Sequence, residues 1–508
     1  MFIPDVAHWI LPIWLCTWAL VGVTGFLTAF MNNRTSFARW HVGALALLVL
    51  VAGAGLFVRA NGVALGPWQT AGTGWVVAFY IALLGMVIQR FTIRYLHGDR
   101  HYGRYFGWLT WTTAAASMTW MSRTLWMEMA SWLAMDAGLI ALIALGWESA
   151  PVRAVTKLTI RRLAISALAI GIASFWYGVA THSGDIAISL ARAGTLPLYV
   201  RLGVALLLVV AAVVQAGGWP FGRWLIESAV TPTPVSAIMH AGVVNAGGLL
   251  LTRWAPLFGL AGAWPHAVLL VLAWVSVGMG SGMVLVHADY KRQLVASTMA
   301  QMGLMLMQCA IGAYDAAIVH LILHGVFKAT LFLRAGSALP HPEEVLGAHK
   351  EDKRASLWPI AMGGLFALAY YAAFPHPSAG MMSALMLGAG MALLGRQARS
   401  TKEGRWLGMI AVVLAAVIGE GVRAWLTREV LLASSSSPSD GVAFGWSVTA
   451  VALLIVLGLV GAFAMMKSET AFARRIYLWL FNLGEPRAVA MEAHPRHLHR
   501  YAKEAVLR

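Results

Sequence analysis

The segment HLILHGVFKATLFLRAGS, His320 to Ser337, places His320, His324 and Lys328 at positions i, i+4 and i+8. On a helix of 3.6 residues per turn each step advances about 40° around the axis and about 6 Å along it, so the three form one polar stripe on an otherwise apolar surface. Ionisable groups in a membrane-length apolar run are costly unless they face a wet or paired interior, and there they commonly mark ion pathways. Histidine titrates near neutrality and a desolvated lysine can do so too, so the stripe has the chemistry to pass a proton. The same residues also admit a purely structural reading, in which the histidines satisfy buried carbonyls and the lysine neutralises a carboxylate. A zinc site on the i, i+4 histidine pair lacks a third ligand.

Two neighbouring segments add candidates. In ADYKRQLVASTMAQMG, Ala288 to Gly303, the residues Ser297, Thr298 and Gln301 can line a water chain or serve as helix contacts, and taken alone they favour packing. In TPTPVSAIMHAGVVNAGG, Thr231 to Gly248, Pro232 and Pro234 remove backbone donors, which predicts a helix break there of the kind that lines a cavity. Ser236 and His240 lie four apart on the helix that emerges, and His240 is the next relay candidate, with a structural histidine as the equal alternative. Arg223 and Glu227 read as a surface i, i+4 pair of small worth. The acidic residues inside apolar runs are Glu128, Asp136 and Glu420. Glu420 lies three residues before Arg423 and is expected to pair with it. Asp136 has no local partner, so it must meet a basic residue on another helix or be neutral.

The elements that position these residues follow from composition. The chain has 508 residues, 59% apolar and only 11% charged, against about 25% charged in soluble domains, so it reads as an all-α polytopic membrane protein. Fifteen apolar runs, within a range of fourteen to sixteen, are long enough to span a bilayer. They lie near 8–31, 40–60, 75–96, 105–121, 124–147, 158–180, 198–217, 233–252, 264–288, 293–312, 316–337, 357–374, 379–396, 404–427 and 442–466. With the N-terminus outside, 27 of the 37 Lys and Arg residues fall in the alternate loops and tail assigned to the cytoplasm, seven fall outside, and three lie within helices. This asymmetry marks the cytoplasmic side and accounts for the net charge of +16 without a nucleic acid. The chain divides into N-terminal helices (1–104), a core (105–340), C-terminal helices (341–466) and a basic tail (467–508). In that tail Phe472, Ile476, Trp479, Leu480 and Leu483 recur at helical spacing opposite Arg474 and Arg475, as in a helix lying on an anionic membrane lipid surface. The N-terminus reads as a retained helix, since no basic residue precedes Arg34. Cys16 and Cys309 are isolated, and no phosphate-binding glycine motif is present, which leaves an ion gradient or a partner as the energy source.

The motifs PTPVSAIMHAG, DYKRQLVASTMAQMG and HLILHGVFKATLFLRAGS resemble the proton-conducting membrane subunits of respiratory complex I and of the multisubunit cation/proton antiporters, over about residues 105–340. HAGVVNAGGLLLTRWAPLF, His240 to Phe258, is more similar to the DabB branch, the membrane subunits of an energy-coupled inorganic carbon pump. The resemblance implies a bundle with inverted five-helix repeats and broken helices and a bacterial inner-membrane location. It also implies a DabA-like partner similar to a zinc β-carbonic anhydrase, with zinc on that partner and no cofactor in this chain. It places His240, His320, His324 and Lys328 on relay positions for H+ or Na+ moving inward to drive CO2 hydration by the partner. Two departures stand out. Five residues before Pro220, where the complex I subunits carry Lys, this chain has Gln215, and the position of their fifth-helix Glu falls near Ser131. The weaker pathway candidates are therefore Asp136, Ser236, Gln215, Ser297, Gln301 and Glu420. The chain is expected to be a transporter subunit and not an enzyme. An antiporter-like subunit of a complex I or hydrogenase assembly and a non-conducting scaffold remain open beside it.

Overall fold

The computed structural model describes residues 3–31, 34–58, 62–70, 72–287, 289–337 and 471–485, with isolated positions between 364 and 421. The chain begins with α1 (Ile3–Leu27) and α2 (Arg34–Phe57), a two-residue hairpin of β1 (Ala64–Leu65) and β2 (Trp68–Gln69), and α3 (Gly72–Tyr95). Then come α4 (Tyr102–Met121), α5 (Leu125–Ala144), α6 (Ala150–Thr181), the short α7 (Ile186–Ala191) and α8 (Leu198–Gln215). The short α9 (Arg223–Glu227) leads into α10 (Thr233–Ala241), α11 (Ala246–Arg253) and α12 (Ala255–Leu260). Three long helices follow, α13 (Ala263–Val286), α14 (Tyr290–Ala310) and α15 (Tyr314–Ser337), and α16 (Ala471–Gly484) lies in the tail.

Among the described residues nine helical units are long and apolar enough to cross a membrane, with α10 and α11 counted as one. Helices α4 and α14 have 20 and 21 residues, enough for about 30 Å of rise, but their polar residues lower their hydropathy. All eleven runs expected before residue 340 are thus helices. The runs at 357–374, 379–396, 404–427 and 442–466 lie outside the described residues, as does any repeat they complete.

Local chemistry sets the helix ends. Thr124 accepts a hydrogen bond from the Met127 N–H, Asp185 from those of Ala187 and Ile188, and Asp289 from that of Arg292, so each side chain caps a helix N-terminus. Asp185 also accepts from Arg123 Nε at 2.6 Å, which ties the α4–α5 turn to the α6–α7 turn. Pro232 and Pro234 do not break a helix; they open α10, where proline costs nothing because first-turn N–H groups have no intrahelical partner. The interruption comes later, at Gly242, whose φ of −118° and ψ of −78° turn the chain into a single 3-10 turn, Val243–Asn245, before α11.

One core runs from α3 to α15, and a second seals α1 and α2 onto α3 through Trp14, Trp18 and Trp75 in edge-to-face contacts at 6.2 and 6.1 Å. The broken unit α10–α11 lies deepest, against α3, α8, α14 and α15. The tail segment is helical, but one face of α16 docks on protein. Leu480 and Leu483 pack with Met279 and Met283 of α13, and Phe481 stacks on His287 at 5.4 Å. Arg292 Nη1 donates to Glu485 at 2.7 Å. Phe472 and Trp479 remain exposed on the same helix.

Candidate functional site

Helix α15 carries the stripe, and α14 and α10 supply its neighbours. Lys328 is 1% exposed. Its Nζ donates to the Leu294 carbonyl at 2.9 Å and to Ser297 Oγ, both on α14. These partners are neutral, and among the described residues no carboxylate pairs with Lys328. One turn back, His324 is buried and both ring nitrogens lack a hydrogen-bond partner among the described groups. Its ring meets that of His320 edge-to-face at 6.1 Å. His320 sits between two glutamines of α14, with Nδ1 3.0 Å from Gln308 Oε1 and Nε2 3.1 Å from Gln301 Oε1. A neutral imidazole has one N–H, so one carboxamide must present its NH2.

His240, on α10, lies flat on Phe332 of α15, with ring centroids 4.6 Å apart and planes 7° apart. It is fully buried with both nitrogens unpartnered among the described residues, and it is close enough to Lys328 for their charges to interact, as His324 is to both. Directly beyond it the helix break frees the Ala241 carbonyl, which accepts from Tyr80 Oη and from Asn245 Nδ2, each at 2.7 Å. The break opens a cavity of about 30 Å3 bordered by Tyr80, Thr112, Met135, Gly242, Asn245 and Leu321, room for about one or two waters.

The fold therefore brings His240, His320, His324 and Lys328 together, with Ser297 and Gln301 in the same polar line. Those last two make polar contacts between α14 and α15, to Lys328 and His320; Thr298 turns back to the Leu294 carbonyl at 2.9 Å. Ser236 is not part of the line: it bonds Thr231 Oγ1 at 3.0 Å and closes the first turn of α10. Gln215 and Asp136 bond each other, with Gln215 Nε2 donating to Asp136 Oδ1 at 2.9 Å. Ser131 bonds within its own helix, to Met127 O at 2.6 Å. Glu420 lies outside the described residues. Arg223 and Glu227 do pair, at 2.7 Å, but Glu227 is buried, so the expected surface pair is half internal.

Three polar arrangements escaped the sequence reading: the partners of Glu128, and the residues Gln308 and His41. Glu128 is fully buried, accepts from Trp254 Nε1 at 3.2 Å and has Arg253 Nε 3.4 Å away. Arg253 also donates to the Thr119 carbonyl at 2.8 Å and to Ser122. Gln308 lies seven residues after Gln301, two helical turns on the same face, and that spacing is a usable signal. His41, on α2, bonds Thr24 Oγ1, Gln89 Oε1 and Thr110 Oγ1 at 2.9, 3.0 and 3.0 Å; as a lone histidine in an apolar run it gave no hint of partners on three other helices.

Residues 125–401 match the family described as NADH:quinone oxidoreductase/Mrp antiporter, TM. The chain is 40% identical to the "probable inorganic carbon transporter subunit DabB" of Bacillus subtilis (strain 168), over 94% of this chain and 95% of that protein. The chain belongs to this antiporter-like family, in its DabB branch. Among solved structures it resembles a chain of the Mrp complex from Dietzia sp. DQ12-45-1b, with a TM-score of 0.63 and 19% identity, over 97% of this chain and 62% of that one. It spans about three fifths of that Mrp chain. It also resembles a chain of respiratory complex I from Thermus thermophilus, with a TM-score of 0.54 and 20% identity, over 88% and 97% of the two chains. The shared feature is the fold, a polytopic helical bundle.

Proposed function

We propose that this chain is the membrane subunit of an inorganic carbon pump and conducts H+, with Na+ as the alternative ion, down its gradient to drive CO2 hydration by a DabA-like zinc partner. Inward flow is required, because outflow would yield no energy for accumulation. The observation that carries the reading is Lys328 buried on neutral partners, beside two buried histidines whose four ring nitrogens have no partner among the described residues. Buried polar groups are normally satisfied, so these nitrogens are suited to a mobile species, water or the conducted proton. The similarity to the Bacillus subtilis inorganic carbon transporter subunit supports inorganic carbon as the cargo. By this reading the chain resides in the bacterial inner membrane, N-terminus periplasmic and C-terminus cytoplasmic, and contributes the ion path while the hydration chemistry belongs to the partner.

The test is inorganic carbon uptake in cells expressing both subunits. His324→Ala with Lys328→Ala together should abolish uptake while the protein still reaches the membrane; intact uptake overturns the path. The similarity to complex I and Mrp chains favours a second reading, an antiporter-like subunit of a redox-driven complex. Co-purification separates the two: a zinc-containing, carbonic-anhydrase-like protein supports the pump, and iron–sulfur or hydrogenase subunits support the alternative.

A further inference from the structure

Helix α5 places Asp136 at its centre and α8 ends on Gln215, and the two side chains meet through one hydrogen bond, Gln215 Nε2 to Asp136 Oδ1 at 2.9 Å. Both are buried, and each keeps one oxygen with no partner among the described residues, Asp136 Oδ2 and Gln215 Oε1. Two acceptors cannot satisfy one another, and a carboxylate held by a single neutral donor in a dry site is costly. One proton removes both defects. Placed on Oδ2, it gives the acid a donor, and the acceptor it needs is the remaining oxygen of the carboxamide already in contact. The result is a two-bond acid–amide pair. The other titratable groups on the elements packed against α5 have their own arrangements: Glu128 is held by Arg253 and Trp254, His240 is stacked on Phe332, Tyr177 on α6 donates to the Ser189 carbonyl, Arg104 lies in the first turn of α4, and Arg153, Lys157, Arg161 and Arg162 lie in the first half of α6.

We infer that Asp136 is a neutral carboxylic acid paired with Gln215, and that this pair is a proton-holding station on the α5 side of the path. The inference rests on the proton-conducting reading above. Helix α5 packs against α10, the helix that carries His240, and this places the pair beside the path. Gln215 is then more than a lost lysine. Where a cation would hold Asp136 ionised, a carboxamide leaves it able to take up and release a proton.

Asp136→Asn is the decisive variant, since an amide–amide pair keeps both hydrogen bonds and the volume but has no proton to give. Infrared difference spectra of the purified protein in lipid, wild type minus D136N at neutral pH, should show a protonated carboxyl C=O band that shifts in D2O. Carboxylate bands in its place overturn the inference whatever the uptake result. Gln215→Leu should retain a protonated band, displaced toward that of an acid without a strong partner, which covers the case of D136N failing to fold. In cells D136N should lower uptake at least about tenfold. If the His324 and Lys328 double variant abolishes uptake but D136N leaves it at the wild-type level, the station is wrong and the path survives. If the double variant transports normally, the path itself fails.

Discussion

Replacing Arg253 with Met tests whether Glu128 and Arg253 are a true buried ion pair. Glu128 is fully buried, and its neighbours are the Trp254 N–H at 3.2 Å and the guanidinium at 3.4 Å. Removing the guanidinium strands a carboxyl in a dry site, which costs about 3–5 kcal/mol when a buried pair loses one partner. It also releases the Thr119 and Ser122 carbonyls and the Ser122 hydroxyl from Arg253, at about 1 kcal/mol each. Glu128→Gln is milder, because the carboxamide oxygen still accepts from Trp254 and Arg253 keeps its carbonyl acceptors; about 1–2 kcal/mol is expected. The double variant R253M/E128Q should lose less than the two singles added together, with a coupling of about 2 kcal/mol. Neutral hydrogen bonds between membrane helices couple by about 0.6 kcal/mol on average, so a value near 2 identifies the charge. The assay is reversible SDS-induced unfolding in mixed micelles followed by tryptophan fluorescence. Additive losses, with coupling below about 0.5 kcal/mol, would refute the pairing.

Two further outcomes follow from close packing and from the tail. Gly325→Ala should fail to accumulate, because a Cβ there would overlap the Tyr80 hydroxyl and lie 2.7 Å from the Ala241 carbonyl; Tyr80→Phe in the same chain should partly restore expression, measured by fluorescence-detected size exclusion. Docking of α16 should depend on pH through His287: its burial outweighs the favourable Glu485 charge and holds it below its ordinary 6.5. Since the docked state binds the proton less well than the free state, docking is firmest above about pH 6.5 and weakens as pH falls below it. Hydrogen exchange at residues 476–484 should therefore quicken from pH 7.5 to pH 5.5 after correction for intrinsic rates, and His287→Phe should remove that dependence.

Much of this molecule is legible in the chain because the membrane is an undemanding reader. Twenty apolar residues make a span whatever their order, so the eleven runs before residue 340 are found by length alone. The i, i+4, i+8 spacing of His320, His324 and Lys328 likewise fixes a stripe as soon as the segment is helical. What a spacing rule cannot give is the identity of the partner across a helix interface. Ser297 and Gln301 read as packing residues until α14 lies beside α15, and then they meet Lys328 and His320. The two prolines suggested a break where they begin a helix, because their effect depends on whether their N–H groups would have been bonded; the break at Gly242 depends on Tyr80 and Asn245 arriving to satisfy Ala241. By sequence Asp136 is expected to meet a basic residue or to be neutral, and the partner the fold brings to it is the uncharged Gln215, 79 positions away. Composition and periodicity determine that the chain spans a membrane and which faces are polar. Only the tertiary structure, through contacts between residues distant in sequence, decides which polar faces are joined.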